Sequence, residues 1–352
     1  MVFAAAVAVF ILLCFAWRAW TPARGDKDSP TPLWQDSVFR EALSRSGARG
    51  IGGIAIVAPS SGLSVESAKT AYEMAVGLGV RFSPQALDVA AVPYTANSDE
   101  VRLELLRQAF EDEETEVLWA LRGGYGSSRL LAEFDPTLPP EKRKIFIGYS
   151  DLTFVHLLMQ KWNRPSVHGA MFWELKGAGK GKSEENFRAL ARLLTGEEKE
   201  LRYDGIKPFN RAAERLDTPI RAVVRGGNLA CLAAAVGTPW SVDAAGCILF
   251  LEDVDEKGYQ LDRMLTQLKE AGVLDKVGAV LLGEFVGDGK GIGFALERFA
   301  RDIDVPVFRC ELFGHGATNL PLVFNSPAVM EKSDRPDGAF SLVISTEPLF
   351  QR

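Results

Sequence analysis

Histidine and cysteine are both scarce in this chain. There are three histidines (His156, His168, His315) and four cysteines (Cys14, Cys231, Cys247, Cys310) in 352 residues. The cysteines are scattered and share no metal-ligand spacing, so neither a metal nor another cofactor is expected. Cys231, Cys247 and Cys310 read as small buried hydrophobes. With three histidines, any imidazole chemistry is tightly bounded. No block of basic residues is interleaved with aromatics, and the net charge of −6 gives no sign of a nucleic-acid surface. No internal repeat is evident. The segment 176–183 (KGAGKGKS) carries glycine and lysine but not the G-x-x-x-x-G-K-[ST] spacing, and no apolar strand leads into it. It reads as a solvated loop rather than a phosphate cradle.

Long apolar runs are confined to the N-terminus, where residues 2–17 are uninterrupted, about the lower limit for a membrane-spanning helix. No basic residue precedes the run, no small-x-small cleavage site follows it, and Leu12-Leu13-Cys14 lacks the small residue of a lipoprotein site. Arg18, Arg24 and Lys27 follow it. By the positive-inside tendency, residues 1–20 are expected to be an uncleaved anchor with the body of the protein in the cytoplasm. A cleaved signal with a periplasmic body, or a start codon assigned too far upstream, stays open. Residues 21–50, rich in proline, serine, arginine and glycine, read as a linker with one short helix over 36–44.

From residue 51 onward, apolar runs alternate with helical patterns. Strands are expected at 51–58, 80–83, 116–121, 144–148 and 166–169, and helices at 64–78, 99–112, 151–161 and 184–194. A second unit is expected from residue 220, with strands at 220–224, 247–251, 277–282 and 305–308 and helices at 229–236, 259–271 and 293–301. Continuous apolar strands between helices predict an α/β fold with a mostly parallel sheet covered on both faces. The expected layout is an N-terminal domain over 51–172, a connecting segment over 173–219 and a C-terminal α/β domain over 220–352. The site would lie in the cleft between the domains, since sites in such sheets sit at the carboxyl ends of strands.

Three polar residues share that placement. Ser150 follows the 144–148 strand, Glu252 follows 247–251, and His315 follows 305–308. A hydroxyl needs a base to become a nucleophile near neutral pH, and a histidine base needs a carboxylate to fix its tautomer. Ser150 sits at a strand-to-helix turn where helix amides could hold an oxyanion, but Ser150 or Asp151 could equally be only a helix cap. The order serine, acid, histidine is that of the α/β-hydrolases, yet Gly148-Tyr149-Ser150-Asp151-Leu152 lacks the closing glycine of G-x-S-x-G. His156 reads as packed or surface, His168 as a candidate to line the cleft, and His315 as either structural or functional. Asp253, Asp255 and Glu256 compete with Glu252. Their spacing matches no calcium-binding loop.

The segments ALRGGYGSSRLL, IGYSDLT, VRGGNLACLAAAVGTPW, ILFLEDVDEKGYQLDRMLTQL and GHGATNLPLVF, in this order and spacing, resemble the LD-carboxypeptidase family (serine peptidase family S66). That family includes muramoyltetrapeptide carboxypeptidases and the related microcin C immunity carboxypeptidases. The resemblance runs from about residue 51 to the C-terminus and implies a Ser150–Glu252–His315 triad shared between two domains. It implies hydrolysis of an L,D peptide bond, with terminal D-alanine released from a murein tetrapeptide. Backbone N–H groups of Asp151 and Gly124 would then hold the oxyanion. Arg225 or Arg122 could pair with the substrate carboxylate, Asn228 could bond the peptide, and Tyr125 could cover the cleft. One alternative is a hydrolase of a peptidyl-nucleotide antibiotic, with Trp173 or Trp240 as the base platform. Another is an inactive muropeptide-binding protein. The partner expected is a muropeptide, without nucleic acid; a membrane tether and a homodimer stay open.

Overall fold

The computed structural model describes residues 32–87, 92–178, 183–333 and 338–351. The expected anchor, Cys14 and residues 21–31 of the linker lie outside these residues, as do 179–182 of the glycine-lysine loop. Among the described residues no helix is long and apolar enough to cross a membrane.

Thirteen strands are described: β1 Ile54–Val57, β2 Arg81–Phe82, β3 Val117–Ala120, β4 Ile145–Gly148, β5 Ser166–His168, β6 Glu200–Pro208, β7 Ile220–Asn228, β8 Ile248–Val254, β9 Ala279–Val286, β10 Val307–Gly314, β11 Leu322–Phe324, β12 Pro327–Lys332 and β13 Phe340–Ser345. The first sheet runs β11-β5-β4-β3-β1-β2. Its first five strands in sequence are parallel, and β11 pairs antiparallel with β5. Every residue of β3 and β4 is buried, as expected of a sheet covered on both faces. Helices Val65–Leu78 and Asp99–Glu111 start on the side chains of Ser64 and Ser98, which accept from Ser67 N and Val101 N.

The remaining strands close a barrel in the order β10-β6-β13-β12-β7-β8-β9. Neighbours from β7 to β10 are parallel, and the closure through β6, β13 and β12 is antiparallel. The α/β expectation holds, with an addition: the second sheet is mixed and closed. Strand β6 comes from the stretch expected as connecting segment, and β11 sends the C-terminal part of the chain back into the first sheet.

Two local expectations are corrected. Arg225-Gly226-Gly227-Asn228, read as a loop, is the end of β7, and Glu252, read as following its strand, lies inside β8. The apolar character of these runs ends at Val224 and Leu251, but at the barrel rim the backbone ladder continues beyond them. The two halves meet closely there. Gly227 has a φ of 140°, and a Cβ on it would lie 2.5 Å from the Thr153 Oγ1. That same hydroxyl accepts from Asn228 N at 2.9 Å, joining β7 to the helix Thr153–Lys161 just beyond Ser150.

Candidate active site

Strand β4 ends at Gly148 and the chain turns sharply at Ser150, whose φ is 65°. A non-glycine residue in the left-handed region costs about 1–3 kcal/mol and persists where the surroundings enforce it. The turn Ser150–Leu152 and the following helix make no side-chain cap at either N-terminus. The capping alternative for Ser150 and Asp151 is therefore corrected. Asp151 instead accepts from the Ser60 hydroxyl at 2.6 Å and from Ser127 N at 2.9 Å, while the Ser127 hydroxyl donates to the Asp151 carbonyl at 2.5 Å. These bonds fasten the turn to the loops after β1 and β3. A Cβ on Gly123 in the loop after β3 would lie 2.8 Å from the Ser150 Cβ and 3.0 Å from its Oγ, so the close approach requires glycine. Gly124 follows with φ 110°, seated against the Ser61 hydroxyl.

On the barrel side, the fully enclosed Glu252 bonds His315 Nδ1 through Oε2 at 2.6 Å, and the histidine side chain is 14% exposed. Glu252 Oε1 has no partner among the described residues. Neighbouring side chains of a strand point to opposite faces. Asp253 accordingly turns away, to Asn228 Nδ2 at 3.0 Å and Ala230 N at 2.9 Å, where it helps cap the helix Leu229–Ala235. Burial, reinforced by the charge of Glu252, raises the Asp253 carboxyl to about 6. This settles which acid of the 252–256 run faces the histidine. Burial acts to lower the pKa of His315, but the charge and hydrogen bond of Glu252, with Asp253 and Glu174, outweigh it. The net shift is upward.

The other histidines are placed differently. His156 is buried, with Nδ1 2.8 Å from the Ser166 hydroxyl and Nε2 2.9 Å from the Gly148 carbonyl, and burial lowers it to about 4. It packs under the turn, as expected. His168 does not line an open cleft. It is fully buried, neither ring nitrogen makes a well-formed hydrogen bond, and burial drives its pKa well down.

The remaining candidates separate. Arg225 is engaged by the Asp243 carboxylate at 3.0 Å and by Asn325 at 3.0 Å. The Asn228 side chain caps its helix through Cys231 N and donates to Asp253, so it serves the fold. Arg122 is half-buried beside Gly123 and donates to the Gly62 carbonyl at 3.2 Å. Tyr125 is 47% exposed and meets Tyr94 edge-on at 5.4 Å. Trp173 packs against the core under Lys176, and Trp240 is also half-buried.

Two residues without a role in the sequence reading stand at the centre. The Tyr149 hydroxyl donates to Glu174 at 2.6 Å, and the Tyr149 ring lies 4.8 Å from that of His315. The buried tyrosine beside Ser150 therefore touches the histidine of the other half. Tyr149 stood inside a quoted motif, but Glu174, in a short turn after β5, carries no periodic or spacing signal.

The profile of the LD-carboxypeptidase N-terminal domain matches residues 54–169, and that of the C-terminal domain matches residues 221–330. A relative from Rickettsia conorii is 37% identical over 80% of this chain and 88% of its own length. The murein tetrapeptide carboxypeptidase of Pseudomonas aeruginosa is 31% identical over 80% of this chain and 93% of its own. Among solved structures, the muramoyltetrapeptide carboxypeptidase from Oxalobacter formigenes superposes with a TM-score of 0.69 at 27% identity, covering 83% of this chain and 98% of that one. The microcin C7 self immunity protein, at 18% identity and a TM-score of 0.67, shares the fold. With both domain profiles matched in order, the chain belongs to the LD-carboxypeptidase family.

Proposed function

We propose that this carboxypeptidase uses Ser150, His315 and Glu252 as its catalytic triad to release terminal D-alanine from a murein tetrapeptide, leaving a tripeptide. The observation that carries the triad is the 2.6 Å bond from His315 Nδ1 to Glu252. With its proton committed to the carboxylate, Nδ1 leaves Nε2 as the basic nitrogen. Nε2 takes the proton of the Ser150 hydroxyl as the oxygen attacks the L,D carbonyl, then returns it to the leaving amine of D-alanine. Water next attacks the acyl-serine along the same proton route and frees the tripeptide. The left-handed turn at Ser150 supports this reading, since it lifts the hydroxyl off the sheet beside backbone N–H groups. Those of Asp151 and Gly124 would meet the developing oxyanion.

A carboxypeptidase must also hold a free carboxylate. Arg225 is already occupied, so Arg122, next to the glycine that touches Ser150, is the better placed cation. The substrate itself rests on the family and on what its relatives are named to cleave. Arg18, Arg24 and Lys27 support a cytoplasmic body behind an N-terminal anchor. A reporter fused after Lys27 that is active only outside the cytoplasm would reverse that orientation.

The test is incubation with a defined tetrapeptide and, separately, an aminoacyl-nucleotide, both read by mass. Loss of one D-alanine from the tetrapeptide is expected. An untouched tetrapeptide with a cleaved nucleotide conjugate would transfer the activity to the antibiotic-hydrolase reading, and neither product would leave a binding protein.

A further inference from the structure

The triad leaves two ionisable groups beside His315 unused. Tyr149 follows β4 directly, next to the nucleophile, and is buried; Glu174 lies in the turn Phe172–Gly177 that follows β5. The tyrosine hydroxyl donates to Glu174 Oε1 at 2.6 Å, and the other carboxylate oxygen accepts from Met171 N at 3.3 Å. Both ends of the carboxylate are thus tied to the first sheet's side of the molecule. The tyrosine ring is held 4.8 Å from the imidazole of His315, which arrives from the barrel. We propose that Tyr149 and Glu174 are positioning residues for His315, the hydroxyl–carboxylate pair holding the tyrosine ring against the imidazole so that pairing of the two halves completes the base. This rests on the triad reading above.

A ring that meets Glu252 only at Nδ1 can still swing about that bond, and packing against the tyrosine ring, tilted 58° to the imidazole, limits that freedom. The pair also acts through charge. Among the described residues, Glu252 and Asp253 of β8, Glu174 after β5, Tyr149 just beyond β4, His168 of β5, and Glu284 of β9 behind Gly316 are the ionisable groups around His315. Burial raises the Glu174 carboxyl, while the tyrosine hydroxyl bond holds it down. Without that bond the carboxyl would keep its proton to higher pH and cease to favour the charged imidazole.

The test is the titration of His315 in the full-length protein, followed by NMR with labelled histidine. His156 and His168 titrate far lower because of burial, and the His315 signal is identified by its loss in His315→Gln. Glu174→Gln should move the His315 midpoint to lower pH, and Tyr149→Phe should do the same although it keeps the ring. On the tetrapeptide, each variant should lose about tenfold or more in kcat with KM little changed.

An unchanged His315 midpoint in both variants would overturn the proposal, whatever happens to thermal stability, because a merely structural pair would lower the melting temperature alone. If Glu174→Gln does not fold, the isosteric Tyr149→Phe decides. The titration needs no substrate, so its failure is separable from failure of the triad, which would show as activity retained by Ser150→Ala.

Discussion

Two histidine neighbourhoods lie on either side of Tyr149. His168 is 5.4 Å from its ring and His315 is 4.8 Å from it, yet the two imidazoles shift in opposite directions. Both are desolvated, which alone favours the neutral form. At His168 and at His156 beyond it nothing reverses that effect, and both belong to the packing beneath the first sheet. At His315 a carboxylate at 2.6 Å reverses it. Burial thus favours a neutral imidazole, and a paired acid where the two halves meet favours the charged one.

The comparison is broken most severely by removing the chemistry of the second neighbourhood. Ser150→Ala should cost about 10⁴-fold or more in kcat/KM on a tetrapeptide, with the Glu252–His315 bond and the His315 titration intact. Glu252→Gln should cost about 10³- to 10⁴-fold, and it should also bring the His315 midpoint down toward the behaviour of the other two. A variant that kept its raised midpoint would show that Glu252 is not the cause. Gly123→Ala is expected to lose about 10²-fold, because the added Cβ would lie 2.8 Å from that of Ser150 and push the nucleophile aside.

Changes to the first neighbourhood should act on stability instead. His156→Leu leaves the Ser166 hydroxyl and the Gly148 carbonyl without their ring partners, at about 1–3 kcal/mol by denaturant unfolding. Activity per folded molecule should fall far less than in Glu252→Gln. The pH signs differ too. His156 falls from the ordinary value of 6.5 to about 4, so the unfolded chain binds more protons between those values. Stability should drop as pH is lowered through that window. His315 has a raised pKa, so its contribution to stability is complete below the ordinary histidine value and is lost as pH rises through the folded one. Activity needs the neutral ring, so the acid limb of kcat/KM should lie above the ordinary histidine value.

How much of this was legible in the sequence followed from burial. Strands β1, β3 and β4 are almost wholly buried and read as unbroken apolar runs, so the centre of the first sheet and its serine turn were visible. Strand β6 alternates exposed and buried residues over ELRYDGIKP, and β12 alternates in the same way, so neither stood out and the barrel's closure was not anticipated. At the candidate site, Ser150 and His315 stand just beyond strand ends as the sequence implies, while Glu252 lies inside β8. That Asp253 turns to a helix start and Arg225 to Asp243 depends on side-chain direction, which no run of residue types specifies. Glu174 was invisible for the same reason: its importance lies in the tyrosine it meets across 25 positions of sequence.

The most direct test of the central claim compares wild-type protein and Ser150→Ala with one murein tetrapeptide, following free D-alanine and product mass together. The account predicts stoichiometric tripeptide and D-alanine from the wild type, and none above background from Ser150→Ala with an unchanged melting temperature. A folded Ser150→Ala protein that still trims the tetrapeptide would contradict it.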